Sequence, residues 1–196
     1  MAILGHSERR DAGEVSLILG GARSGKSRLA EVIVARENKS AVYVATAQAH
    51  DEEMAQRITA HRERRGPNWR TQEIPLDLAQ DLPGLLRTAD PILVDCLTLW
   101  LSNIMGGQRD AEAEIAALIA GLALARGPLV LVSNETGLGI VPDNALARRF
   151  RDLSGVMNQQ IAAAADNVGL CSKAIPSRSA SVISSDGLSS SNVSTA

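Results

Sequence analysis

A glycine-rich segment ending in Gly-Lys-Ser is the part of the sequence that indicates chemistry most directly. Its pattern, Gly-x-x-x-x-Gly-Lys-Ser/Thr, is that of a phosphate-binding loop, in which backbone N–H groups and a helix N-terminus surround phosphates. Lys26 would reach the β- and γ-phosphates of a nucleotide, and Ser27 would ligate Mg²⁺. A glycine-rich turn without a ligand is the alternative, which the complete match disfavours. The predicted nucleotide-binding residues of this loop are Gly20, Gly21, Ala22, Arg23, Ser24, Gly25, Lys26 and Ser27.

Polar side chains also follow two later apolar runs. Asp95 comes directly after Ile92–Val94, where a carboxylate can hold Mg²⁺ directly or through a water molecule. A turn or helix N-cap aspartate is the alternative for this residue. Asn134 and Glu135 come at the end of the run that starts at Leu129. Two interpretations have equal weight for this polar pair, namely contact with substrate or metal, and capping.

One histidine lies within a strongly basic segment. Arg57–Arg65 contains four arginines and His61. By helical spacing His61 shares a stripe with Met54 and Ile58, so a packed histidine is one interpretation. The other is a neutral imidazole that attacks a phosphorus held by the arginines, because arginine suits phosphate and histidine is a competent nucleophile. The arginines could instead form a solvated face or contact nucleic acid.

Short apolar runs alternate with helical patterns along the chain. This alternation predicts an α/β fold, with a mostly parallel sheet covered by helices on both faces and with ligands bound at the carboxyl ends of the strands. The predicted strands are Val15–Leu19, Ala41–Ala45, Ile92–Val94 and Leu129–Val132. The predicted helices are Lys26–Glu37, His50–Arg64, Asp110–Arg126 and a long helix that begins at Pro142.

The composition excludes several classes of protein. The 196 residues are 45% hydrophobic and 21% charged, with a net charge of −2, which indicates one globular domain and argues against a disordered chain. The charge and the 2% aromatic content disfavour a nucleic-acid binder. No apolar run approaches the roughly 20 residues of a membrane span, and Met1–Glu14 lacks the pattern of a signal peptide. Cys96 and Cys171 are too few for a disulfide framework or a zinc site. A cytoplasmic enzyme is expected.

Six segments in order resemble the bifunctional adenosylcobinamide kinase / adenosylcobinamide-phosphate guanylyltransferase family, over about Leu17 to Leu170. The phosphate-binding loop alone would be generic, whereas the ordered combination is specific. The segments are Gly20–Arg28, Val42–Gln48, Glu53–Arg65, Ile92–Asn103, Val130–Pro142 and Ala147–Asp166.

The resemblance implies a RecA-like P-loop fold and two activities that use Mg²⁺. The first phosphorylates adenosylcobinamide with ATP or GTP. The second transfers GMP from GTP onto adenosylcobinamide phosphate through a covalent histidine intermediate, and the family pattern places that histidine at His61. A homotrimer is also implied. By the same resemblance, further GTP contacts are expected at Ala45, Thr46, Ala47, Arg62, Glu63, Arg64, Arg65, Glu73 and Asp95.

The chain departs from the family pattern at both ends. Residues 1–14 are interpreted as an N-terminal arm, 15–170 as the catalytic domain and 171–196 as a serine-rich, disordered tail, because ten serines and only three charges occur in that tail. A reading-frame shift near Leu170 would explain the tail and would give a poorly folding member of the family. A P-loop small-molecule kinase or NTPase without covalent GMP is the alternative function, and a nucleotide-regulated nucleic-acid module is a third.

Overall fold

Strands and helices are interspersed along the described part of the chain. A computed structural model describes residues 13–37, 39–48, 52, 66–172, 179–184 and 191–194. Within them the strands are β1 Val15–Gly20, β2 Ala41–Ala45, β3 Trp69–Glu73, β4 Ile92–Asp95, β5 Leu129–Asn134, β6 Asn167–Cys171, β7 Ser179–Ser184 and β8 Ser191–Ser194. The helices are α1 Lys26–Ala35, α2 Leu78–Leu86, α3 Leu97–Gly106, α4 Ala111–Leu122 and α5 Ala145–Ala164.

One sheet contains all of these strands, in the order β3-β2-β4-β5-β1-β6-β7-β8. The first six strands run parallel, and β7 and β8 are antiparallel. The register sets Gly20 opposite Asn134 of β5 and Cys171 of β6. It also sets Ala45 opposite Glu73 of β3 and Asp95 of β4. The chemistry-bearing residues therefore gather at the carboxyl edge of the sheet.

The two faces of the sheet are both covered. Alternate strand residues point to opposite faces, so Leu17 and Leu131 pack into one core cluster while Ile18 and Val132 pack into a second. The first cluster includes buried residues from α2, α3, α4 and α5, and the second includes Ala30 and Val34 of α1. The predicted α/β class, with a mostly parallel sheet and helices on both faces, is confirmed.

Several predicted boundaries were wrong by a few residues. The helix predicted to begin at Pro142 begins at Ala145, because the Asn144 side chain caps it by accepting a hydrogen bond from Ala147 N at 2.7 Å. The first predicted helix ends at Ala35, and the Asp110–Arg126 helix spans only α4. The sequence did not predict β3, α2 or α3. The helix predicted over residues 50–64 lies outside the described residues, apart from Glu52, which is helical.

The serine-rich tail contains regular structure where it is described. We expected disorder over 171–196, but β7 pairs with β6 and β8 pairs with β7. The β-branched pair Val182 and Ile183 favours a strand, a local signal that the average serine content conceals. Asn167–Leu170 lies within β6, which pairs parallel with β1. None of the helices in the described ranges is long and apolar enough to cross a membrane.

Trp100 is the largest fully buried side chain, and replacing it with alanine is expected to destabilise the fold by about 3 kcal/mol. The change leaves a cavity under the sheet and removes the hydrogen bond that Nε1 donates to Leu76 O at 2.9 Å. Urea unfolding measures the loss. Trp69→Ala is the matched control, because Trp69 is half-buried on the edge strand β3. Equal losses in the two variants would contradict the prediction.

Candidate nucleotide-binding site

The loop between β1 and α1 has the backbone geometry that phosphate binding needs. Gly25 immediately precedes α1 and has a φ of 92°, in the left-handed region that favours glycine. A Cβ on Gly20 would lie 2.5 Å from Cys171 O and 2.6 Å from Ser24 Oγ, so only glycine fits there. A Cβ on Gly21 would meet nothing within 4 Å. The loop is therefore closely packed at its start and open along its outer side.

The lysine of the loop is turned across it. Lys26 is only 8% exposed, and its Nζ donates a hydrogen bond to Gly21 O at 3.1 Å. The Ser24 hydroxyl oxygen is enclosed and makes no hydrogen bond within the described part of the chain. Ala22 and Arg23 are exposed, and Ser27 is half-buried in the first turn of α1. This arrangement matches a loop that encloses an anion between backbone N–H groups and one ammonium.

Asp95 ends β4 and is half-buried. Tyr43 OH donates a hydrogen bond to Asp95 Oδ2 at 3.2 Å, which orients the carboxylate. The N-cap of α3 is Cys96, so Asp95 does not cap that helix. The hydroxyl of Ser27 and the carboxylate of Asp95 supply the hard oxygen donors that Mg²⁺ requires. The donor chemistry of these residues therefore fits the predicted ion.

Thr46 joins the ends of two strands. Its Oγ1 donates a hydrogen bond to Cys96 O at 2.7 Å and accepts one from Cys96 N at 2.8 Å. Its carbonyl accepts a hydrogen bond from Asn103 Nδ2 at 2.8 Å. The side chain is fully buried, whereas Ala45 and Ala47 on either side are half-buried. Thr46 therefore joins the carboxyl end of β2 to the residue after β4 and to α3. The contacts of residues 45–47 with GTP stay a prediction.

The two cysteines are poor nucleophiles near neutral pH. Burial, followed by the negative charge of Asp95, raises the pKa of the Cys96 thiol to about 11. The Lys26 ammonium acts in the opposite direction on the pKa of Cys96. Burial also raises the pKa of Cys171. Because the thiolate is the reactive form, neither residue offers an alternative to a histidine nucleophile.

The rest of the predicted guanylyltransferase site is only partly described. Glu73 ends β3 beside Ala45 and is exposed. The basic segment and its nucleophile lie outside the described residues and stay predictions, namely His61, Arg62, Glu63, Arg64 and Arg65.

A group of buried polar side chains behind β5 was missed by the sequence analysis. Thr98 Oγ1 accepts a hydrogen bond from Asn134 N at 2.6 Å, and Asn158 Nδ2 donates one to Asn134 O at 3.2 Å. Two helices thus hold both backbone groups of Asn134. Glu135 N donates a hydrogen bond to Gly20 O at 3.0 Å. These contacts fix the end of β5 against the phosphate-binding loop, and no sequence spacing signals them.

The chain is similar in sequence to known proteins over most of its length. The sequence profile described as cobinamide kinase / cobinamide phosphate guanyltransferase matches residues 16–178. The bifunctional adenosylcobalamin biosynthesis protein CobP of Pseudomonas aeruginosa is 47% identical over 162 residues, which cover 82% of this chain and 94% of that protein. The bifunctional adenosylcobalamin biosynthesis protein CobU of Salmonella typhimurium is 43% identical over 169 residues, which cover 79% of this chain and 93% of that protein.

Among solved structures, the flagellar accessory protein FlaH from Methanocaldococcus jannaschii superposes with a TM-score of 0.44 at 15% identity, covering 82% of this chain and 71% of that one.

The family profile spans most of the chain, and it includes the phosphate-binding loop, β4 with Asp95, and β5. This protein therefore belongs to the cobinamide kinase / cobinamide phosphate guanyltransferase family.

Proposed function

We propose that this chain phosphorylates adenosylcobinamide with ATP or GTP and then transfers GMP from GTP onto the product through a covalent GMP–histidine. The observation that carries the proposal is the loop Gly20–Ser27, with buried Lys26 turned across it, in a chain of this family. The further sequence support is the Arg57–Arg65 segment around His61.

In the kinase step, the loop N–H groups and Lys26 hold the triphosphate. Ser27 and Asp95 would hold Mg²⁺, which neutralises charge on the phosphates when bound. The hydroxyl of the aminopropanol arm of cobinamide attacks the γ-phosphorus and loses its proton. A new P–O bond forms, the bond from the γ-phosphorus to the β–γ bridging oxygen breaks, and ADP or GDP leaves. The hydrogen bonds of Thr46 with Cys96 and Asn103 hold the end of β4 in place, and with it Asp95, during the transfer.

In the second step, His61 attacks the α-phosphorus of GTP. A P–N bond forms, the bond from the α-phosphorus to the bridging oxygen breaks, and pyrophosphate leaves. An oxygen of adenosylcobinamide phosphate then attacks the same phosphorus, which releases His61 and gives adenosylcobinamide-GDP. Two successive transfers avoid the alignment of two large anionic substrates at once.

The assembly and location are part of the same proposal. We expect a homotrimer in the cytoplasm that does not bind nucleic acid. Sedimentation measures the mass of the assembly, and binding to a labelled polynucleotide across a salt series tests the last expectation.

Incubation with α-labelled GTP and Mg²⁺ tests the proposed function. The expected result is label on the protein that resists alkali and is lost in acid, as a phosphoramidate is, and that moves to the corrinoid when cobinamide phosphate is added. A parallel assay with γ-labelled ATP and cobinamide measures the kinase step. Phosphorylation of cobinamide without any label on a folded protein would instead support the P-loop kinase that forms no covalent intermediate.

A further inference from the structure

The loop that follows β5 exposes a group of large apolar side chains. Leu138 is 89% exposed, Ile140 is 97% exposed and Val141 is 60% exposed. Leu146, in the first turn of α5, is 68% exposed and extends the same segment. Apolar side chains concentrated in so short a segment indicate a contact surface, whereas single exposed apolar residues are ordinary. We call these four residues the apolar loop surface.

Hydrogen bonds fix the base of this loop at both ends. At its start, the Glu135 side chain accepts a hydrogen bond from Gly137 N at 2.6 Å, and Glu135 N donates to Gly20 O. At its end, Arg148 Nη1 donates to Pro142 O at 2.9 Å and to Asp143 O at 2.7 Å. The apolar side chains are thus presented outward from an anchored loop.

The surface lies beside the phosphate-binding loop. Gly20 is the register partner of Asn134 and accepts a hydrogen bond from the backbone of Glu135. Leu138 comes three residues later, so its Cα lies within about 11 Å of the Cα of Glu135, the reach of three extended residues. A group that extends outward from the loop on the β5 side is therefore within reach of this segment.

We propose that the apolar loop surface contacts the corrinoid ring of the acceptor substrate. This inference rests on the proposed function, because it takes cobinamide as the acceptor. The arm of cobinamide carries the reacting hydroxyl, which must reach the γ-phosphate, so the ring remains outside the phosphate-binding loop. A corrinoid ring is broad and carries methyl groups as well as amide side chains, and Leu138 and Ile140 offer apolar contact area to its methyl groups.

Equilibrium dialysis with cobinamide, which is coloured, tests the proposal without requiring turnover. In the double variant Leu138→Ser with Ile140→Ser, the Kd for cobinamide is expected to rise about 10-fold, the loss for one or two partly buried apolar side chains. The KM for cobinamide should rise likewise, while the KM for ATP and the protein label from GTP stay within about 2-fold.

Leu124→Ser is the matched control. Leu124 is a 41% exposed leucine that precedes the amino end of β5, at the opposite edge of the sheet. The control variant should bind cobinamide as the unchanged protein does. Because Leu138 and Ile140 are almost fully exposed, their replacement should leave the melting temperature unchanged, and a melting curve checks this.

Three outcomes would overturn the inference. The first is an unchanged Kd in the double variant, and the second is absence of cobinamide binding to the unchanged protein. The third is a smaller assembly mass in the double variant, which would assign the surface to a second copy of the chain. A failure of the proposed function gives a different result. If the protein binds cobinamide through this loop but does not phosphorylate it, the Kd still differs between the unchanged protein and the double variant, while no phosphorylated product forms.

Discussion

The Lys26→Ala variant is expected to lose at least about 1000-fold in kcat/KM for cobinamide phosphorylation, which corresponds to ~4 kcal/mol of transition-state stabilisation. Lys26 is 8% exposed and its ammonium lies across the loop, so its charge acts on the phosphates with little screening by water. Alanine removes that charge at the β- and γ-phosphates, where negative charge accumulates during transfer. The GMP label from GTP should fall as well, since the same loop holds the triphosphate.

The matched control for this prediction is Arg28→Ala. Arg28 is an exposed cation two residues further along α1, so its removal changes the net charge equally without altering the loop. Its kcat/KM should stay within about 2-fold of the unchanged protein, because an exposed cation is largely screened. Melting curves establish that both variants are folded. A Lys26→Ala enzyme that retained more than a tenth of the activity would contradict the assignment of Lys26.

The sequence predicted the elements whose signals are local. β1 and the phosphate-binding loop are signalled by an apolar run followed by glycines, and the structure has both within one residue of their predicted bounds. β3 gives no such signal, since Trp69–Glu73 is polar and becomes a strand through pairing with β2. In α3 only Ser102 and Gly106 are exposed, so its amphipathic period is weak. α2 contains Pro83, which reads as a helix breaker.

Some residues of the candidate site were likewise predicted from local sequence signals, whereas others were not. Contiguous residues identified the phosphate-binding loop, and the end of an apolar strand identified Asp95. The hydrogen bonds between Thr46 and Cys96 join residues 50 positions apart, and the one between Asn158 and Asn134 joins residues 24 apart. No spacing rule within one sequence predicts such pairs, because they depend on strand order in the sheet. The positions that hold the site together were therefore visible only in the structure.

The His61→Ala variant is expected to acquire no label from α-labelled GTP, a loss of the full signal. The imidazole supplies the nitrogen of the P–N bond, and neither thiol can replace it, because burial raises the pKa of both Cys96 and Cys171. Phosphorylation of cobinamide by ATP should persist, since that transfer uses the hydroxyl of the substrate as nucleophile and the loop around Lys26 as the anion site.

The His50→Ala variant distinguishes the nucleophile from its surroundings. His50 precedes the arginine-rich segment and lacks a basic cluster of its own, so its replacement should leave the label within about 2-fold. Exogenous imidazole provides a second readout for His61→Ala, because a small imidazole that enters the vacated position can restore GMP transfer without labelling the protein. Full label in His61→Ala, or its loss in His50→Ala alone, would move the covalent intermediate to another residue. Loss of label together with retained kinase activity would separate the two reactions within one chain, with the nucleotide held by the same loop in both.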